Sequence, residues 1–260
     1  MAEVPSRQYP TAPLALPPDP DKTGGRALGV LLVHGYTGSP ASMKPWAHAL
    51  HEQGYAVEVP LLAGHGTQWQ DLNRVSWTQW YDEAEAALDR LLVSCDRVAV
   101  CGLSMGGSVV LRLAEERHDD VAGIVLVNPF VSSFRAELRL LPVLKYAVPA
   151  LRGGVNDIKK PDQDEHGYPR LPLKGLAEVT AMWKAVVPDL GRVTQPILYF
   201  RSEQDHVIDV SSLPTVVNGV SSTEVAERPL KNSYHVATLD NDAEQIFTES
   251  AEFIARVTAA

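Results

Sequence analysis

Residues 97–107 read RVAVCGLSMGG, an apolar run that passes without a break into a glycine-rich turn. Arg97 to Cys101 is short, valine-rich and shows no polar alternation, the pattern of a strand buried on both faces. Gly102-Leu103-Ser104-Met105-Gly106 follows as G-x-S-x-G, and Met105 to Glu116 has helical periodicity. A G-x-S-x-G set between a strand and a helix is a nucleophile elbow. So tight a turn strains the central residue, and its neighbours two positions away have to be small, which Gly102 and Gly106 supply. Gly107 lets the helix pack closely. Ser104 then projects beside a helix N-terminus, whose unpaired N–H groups favour developing negative charge. A dinucleotide fingerprint is excluded, because glycines at 102, 106 and 107 do not fit G-x-G-x-x-G.

Strand and helix signals alternate on both sides of this motif. Toward the N-terminus stand a buried strand over Ala27–Val33 and a helix opened by Ser39-Pro40 and closed at Gly54. A strand over Tyr55–Val59 and an amphipathic helix over Trp77–Val93 come next. Toward the C-terminus Val121–Val127 is another buried strand. The rhythm breaks over 130–188, which is punctuated by proline, carries a polar stretch at Asp157–Gly167 and has no strand signal. It resumes with strands over Pro196–Phe200 and Thr223–Leu230 and a helix over Ala243–Val257. Repeated βαβ units imply a mostly parallel central sheet flanked by helices. The expected organisation is an N-terminal arm (1–25), an α/β core (26–129 and 189–260) and a small cap inserted at 130–188.

A serine hydroxyl needs an imidazole to accept its proton as it attacks. In folds built on such an elbow the acid and then the histidine follow the serine along the chain. His118 falls at the end of the elbow helix, and His166 lies in the inserted polar stretch. His235 sits in the loop after the last expected strand, where the base belongs. The acid should end the strand before it, which points to Asp205; Glu203 and Asp209 are its rivals. The oxyanion needs two preorganised N–H donors. The backbone N–H of Met105 is one, and that of Tyr36, in the loop His34-Gly35-Tyr36-Thr37-Gly38, is the expected other. The Tyr36 ring is a candidate wall of an acyl pocket. His34 and His65 are expected to be structural, and His48 and His51, without a third ligand nearby, do not make a metal site. No cofactor motif is present.

Composition limits the remaining classes. The chain has 260 residues, 45% hydrophobic and 21% charged, with a net charge of -9. Without a basic run a nucleic-acid partner is not expected. Cys95 and Cys101 flank one strand, too far apart for a disulfide, and both read as buried thiols. The proline-rich arm shows no signal-peptide core or membrane span, so a cytoplasmic protein without stable membrane insertion is expected.

The segments VLLVHGYTG (30–38), GYAVEVPLLAGHG (54–66), GLSMGG (102–107), Asp205 after its strand and SYHVATLD (233–240) together resemble the bacterial carboxylesterases and monoacylglycerol lipases of the α/β-hydrolase superfamily. Two positions depart from that pattern: Tyr36 replaces a more usual phenylalanine, and Ser202 stands where glycine is usual. The resemblance implies an α/β-hydrolase fold with a cap over the site. It also implies a serine esterase of the carboxylic-ester class, acting through an acyl-enzyme on short- to medium-chain acyl esters. Two alternatives stay open: a thioesterase or carbon–carbon bond hydrolase on the same triad, and a catalytically silent ligand-binding member. Leu138, Leu140, Leu141, Val143 and Leu144 suggest an apolar cap wall or, equally, the packing of the cap itself.

Overall fold

A computed structural model describes residues 10–153 and 155–259. The strands are β1 (Leu14–Leu16), β2 (Leu28–Val33), β3 (Ala56–Val59), β4 (Arg97–Leu103), β5 (Val121–Val127), β6 (Ala150–Arg152), β7 (Arg170–Pro172), β8 (Ile197–Ser202) and β9 (Val225–Leu230). The helices are α1 (Lys44–Glu52), α2 (Trp77–Ser94), α3 (Met105–Glu116), α4 (Leu141–Ala147), α5 (Leu173–Val186), α6 (Ser212–Gly219) and α7 (Ala243–Ala259). Seven strands form one sheet in the order β1-β3-β2-β4-β5-β8-β9, parallel throughout except for β1.

The lack of polar alternation has a direct structural cause. Side chains of a strand point alternately to opposite faces, and here both faces are covered. Leu31, Val33, Val98, Val100, Ile124 and Leu126 enter one core with α2, α3 and α5. Val30, Leu32, Ala99, Cys101, Val125 and Val127 enter a second core with α1 and α7. Both cysteines are buried free thiols.

Two segments differ from the sequence expectation. Within the N-terminal arm, residues 1–9 lie outside the described residues, and Leu14–Leu16 pairs antiparallel with β3 as an edge strand that the sequence pattern does not show. Three residues are too short to register as a strand pattern, and the pairing depends on a partner far along the chain. The inserted region does contain strand: β6 and β7 form a two-stranded antiparallel ribbon. Of its leucine-rich stretch, Leu141 is buried and Leu138 and Leu144 pack against the core, whereas Leu140 and Val143 are 67% and 77% exposed. A single apolar wall is therefore not formed. Helix α5 ends the region by burying Leu173, Leu176, Val179, Met182 and Val186 in the same core as α2 and α3.

All parallel strands deliver their C-terminal ends to one edge of the sheet. In open α/β sheets that edge is where ligands bind. Ser104 follows β4, the loop of Asp205 follows β8 and the loop of His235 follows β9.

Candidate active site

Ser104 leaves β4 with φ 53° and ψ −118°, a backbone region that costs a residue with a side chain about 1–3 kcal/mol. Neighbouring backbone holds it there. Its N–H donates to Val127 O at 3.0 Å, and its carbonyl accepts from Gly107 N at 2.9 Å and Phe130 N at 3.0 Å. The flanking glycines are sterically required. A Cβ on Gly102 would press into Gly106 and stand 2.6 Å from Gly107 N, while one on Gly106 would collide with the Val33 carbonyl and stand 2.8 Å from His34 O. As the first residue of α3, Met105 has an N–H that no helical carbonyl can satisfy.

The loop after β2 passes directly over Ser104. A Cβ on Gly35 would lie 3.2 Å from Ser104 Cβ and 3.7 Å from its Oγ, and Tyr36 is the next residue. Thr37 adopts φ 64°, which curls the loop back. His34 supports it: one ring nitrogen donates to Gly35 O at 2.9 Å and the other accepts from Leu62 N at 3.3 Å. Burial, only partly opposed by the Gly35 carbonyl, pushes His34 down to about 4, so the ring is neutral near pH 7. His65, with burial pulling it well below the usual histidine range, contacts Leu62 O and Ala63 O and packs edge-on against His34 at 4.8 Å. Both histidines have the structural places expected of them. The Tyr36 ring instead packs on His65 and Trp80, and its hydroxyl donates to Pro172 O at 2.7 Å.

Asp205 Oδ2 accepts from His235 Nδ1 at 2.7 Å, and its Oδ1 accepts from Val207 N at 2.8 Å and Ile208 N at 2.9 Å. This bond leaves Nε2 of the imidazole available as a base. Burial alone would raise Asp205, but the opposing His235 charge and these hydrogen bonds hold it below the usual carboxylate range. Burial alone would lower His235. The charges of Asp205, Glu165 and Asp157 and the bond to Asp205 outweigh that and raise it above 6.5. The rivals are placed elsewhere. Glu203 is exposed, and Asp209 accepts from Ser133 Oγ, Phe134 N and Ser211 N. His118 contacts Asp119 and Thr194 after α3, and His166 is exposed beside Asp164. Asp205 and His235 are thus joined directly. Among the described residues no hydrogen bond joins the Ser104 hydroxyl to the imidazole; such contacts often tighten only when substrate is bound.

Two residues not singled out from the sequence organise this edge. Asn128, at φ 43° after β5, donates from Nδ2 to Ser202 Oγ at 2.9 Å and to His235 O at 2.8 Å. Its Oδ1 accepts from Ser202 N at 2.8 Å, and Ser202 Oγ donates to Tyr234 O at 2.8 Å. The hydroxyl at 202 therefore ties the end of β8 to the loop of His235. Glu165 comes from the inserted polar stretch. Its Oε1 accepts from Asn156 N at 2.9 Å, and its Oε2 lies 3.3 Å from where a Cβ on Gly38 would stand. Burial raises its carboxyl, against the Asn156 N–H and the His235 charge. For Asn128, an asparagine just past a strand end hints at a left-handed corner. For Glu165, a polar run in an insertion carries no such signal.

Residues 26–242 match the family described as serine aminopeptidase, S33. The chain is 36% identical to a thermostable monoacylglycerol lipase of Bacillus sp. (strain H-257), over 96% of this chain and 98% of that one. It is 24% identical to a carboxylesterase of Bacillus subtilis (strain 168), over 92% and 97%. Among solved structures, one of the metagenome-derived lipolytic enzymes LipS and LipT superposes with a TM-score of 0.88 at 34% identity, covering 95% of this chain and 98% of that one. A monoacylglycerol lipase of Paleococcus ferrophilus shares the fold, with a TM-score of 0.74 at 18% identity. With the sheet order, the elbow and near full-length matches in agreement, the chain belongs to the serine aminopeptidase S33 family and has the α/β-hydrolase fold.

Proposed function

We propose that this protein is a serine carboxylic-ester hydrolase of the carboxylesterase and monoacylglycerol lipase type. Ser104 is the nucleophile, His235 the base, Asp205 its orienting acid, and the N–H groups of Tyr36 and Met105 are the oxyanion donors. The observation that carries the reading is the 2.7 Å pair of Asp205 and His235 at the sheet edge where Ser104 stands strained on its elbow.

His235 Nε2 takes the Ser104 proton as Oγ attacks the ester carbonyl, and the resulting oxyanion meets the two backbone donors. The alkoxide leaves with the proton returned by His235, giving an acyl-enzyme. Water, deprotonated by the same imidazole, then releases the acid and restores Ser104. Asp205 keeps Nδ1 protonated and stabilises the cation formed in each half.

The named relatives support carboxylic esters, monoacylglycerols among them, as the substrate class, and the reading extends to acyl groups of short to medium length. The segment 130–188 would be the cap over this site. No helix among the described residues is long and apolar enough to cross a membrane, and the reading extends to a cytoplasmic enzyme acting on small esters.

The test is hydrolysis by the purified chain of a graded series of p-nitrophenyl esters and monoacylglycerols. Turnover falling with acyl length, and lost in Ser104→Ala, is the expected result. Absence of turnover on every ester would sink the function, and turnover persisting in Ser104→Ala would sink the nucleophile.

A further inference from the structure

The segment that crosses the mouth of the site from within the insertion is held by strained backbone and paired side chains. Asn156, Asp162 and His166 all adopt positive φ, at 57°, 61° and 53°. Asn156 and Glu165 close the segment on itself: Asn156 N donates to Glu165 Oε1, and Glu165 N donates to Asn156 Oδ1, both at 2.9 Å. Strain of this kind persists only where surroundings over-determine it, and it gathers at functional sites.

What the closed segment presents is Asp157. Its Oδ2 accepts from His235 N at 3.1 Å and from His206 N at 3.3 Å, and its Oδ1 accepts from His206 Nδ1 at 2.8 Å. Its carbonyl accepts from Val236 N at 3.1 Å. One residue of the insertion thus holds the backbone of the histidine loop and that of the residue next to Asp205. These two loops lie 30 residues apart in sequence and also meet through the Asp205–His235 bond, the bond from Ser202 Oγ to Tyr234 O and the edge-on packing of the His206 and Tyr234 rings. The Asp157 carboxylate is mostly shielded, with a side-chain exposure of 16%.

We propose that Asp157 is a positioning residue for the triad, its carboxylate clamping the acid loop at His206 to the base loop at His235 so that the imidazole stands where Ser104 can use it. The proposal rests on the ester-hydrolase reading of the site. Other groups share the region. Asp205 from the loop after β8 and Glu165 from the same segment face the His235 imidazole, as does the charge of Asp157. Asp240 accepts from Tyr234 N, and the Lys159 ammonium lies over the Tyr234 ring.

The experiment compares Asp157→Ala and Asp157→Asn with the parent chain. Active enzyme is counted by fluorophosphonate titration, and the His235 ring is titrated by NMR. Asp157→Ala loses every side-chain acceptor, so kcat per active site should fall on the order of 10-fold to 100-fold, as displaced catalytic groups do, with KM nearly unchanged. Asp157→Asn keeps one carbonyl oxygen for the two backbone N–H groups and should recover most of kcat. Without the negative charge, its His235 titration and the acid limb of kcat/KM should both move to lower pH. A role limited to holding the fold would lower Tm while leaving kcat per active site and the His235 titration at parent values, and that result overturns the proposal. Should Asp157→Ala not fold, Asp157→Ser, whose hydroxyl is too short to span both backbone N–H groups, decides: kcat per active site at the parent value overturns the idea, and a fall that Asp157→Asn does not show supports it. A parent chain that turned over no ester would overturn the functional reading instead, and the NMR titration of the variants would still report whether the Asp157 charge reaches the His235 ring.

Discussion

Ser104 and His235, the proposed nucleophile and base, are both held by surroundings that oppose their intrinsic preference. Ser104 holds a left-handed backbone that its Cβ resists, and His235 is driven toward its charged form although it is 6% exposed. Removing the hydroxyl tests the first. Ser104→Ala should cut turnover by several orders of magnitude, toward the roughly 10⁶ loss seen in another triad enzyme, with little change in Tm. A pH profile tests the second. The base works only as neutral imidazole, and its neighbours raise its proton affinity above the ordinary 6.5. Falling pH should therefore reduce kcat/KM through an acid limb centred above 6.5, and a limb at or below that value would mean that the Asp205, Glu165 and Asp157 charges do not reach the ring. The places of Ser104, Asp205 and His235 at one edge of the sheet were readable because chain order and strand ends constrain them. Asn128 and Glu165 were not, since each acts through a contact with a loop distant in sequence, and Asn128 has only its place after a strand to mark it.

At the scale of elements, the β4–α3 junction was legible because steric demand leaves a composition trace: only glycine fits at 102 and 106. Replacing Gly106 by alanine drives a Cβ into the carbonyls of Val33 and His34. The expected outcome is a chain that either fails to fold or loses both Tm and fluorophosphonate labelling of Ser104; labelling at the parent rate would show that the junction gives way freely. Helix α3 makes a second, pH-dependent prediction at its far end. Glu115 is fully buried there, pairing with Arg112 at 2.9 Å. Burial, against the pull of Arg112, pushes its carboxyl up to about 8 from 4.5. A raised folded pKa means that the unfolded chain releases its proton first, so stability is lost as pH climbs from 4.5 toward 8. Glu115→Gln removes that loss, while Arg112 keeps Glu116 and Asp189 as partners. Its Tm should exceed the parent's at about pH 9, with the gain vanishing toward about pH 5. The short strands β1, β6 and β7 escaped the sequence for the opposite reason. Three residues carry no period, and their pairing is decided by tertiary partners.

Over the whole molecule, the inserted region is stitched to the sheet edge that carries Ser104 and His235 at several points instead of lying loosely on top of it. Tyr168 N donates to Thr37 O at 2.9 Å, Ser39 Oγ donates to Glu165 O at 3.0 Å, and the Tyr36 hydroxyl reaches Pro172 O at the start of α5. Each contact joins the loop after β2 to residues 165–172, so the inserted region and the proposed oxyanion donor at Tyr36 should move together. Gly175 makes room for the Tyr36 stitch, because a Cβ there would run into the hydroxyl and stand 2.7 Å from Leu72 O. Tyr36→Phe isolates the stitch, since the ring and the backbone N–H are kept. Loss of one buried hydrogen bond should cost about 1 kcal/mol, or roughly 2–4 °C in Tm for a chain of this size. If the hydroxyl also steadies the oxyanion loop, kcat should fall more than KM rises, because the donors stabilise the transition state more than bound ester. A lower Tm with unchanged kcat would confine the bond to holding the cap. An unchanged Tm would mean that α5 keeps its seat on the core without it.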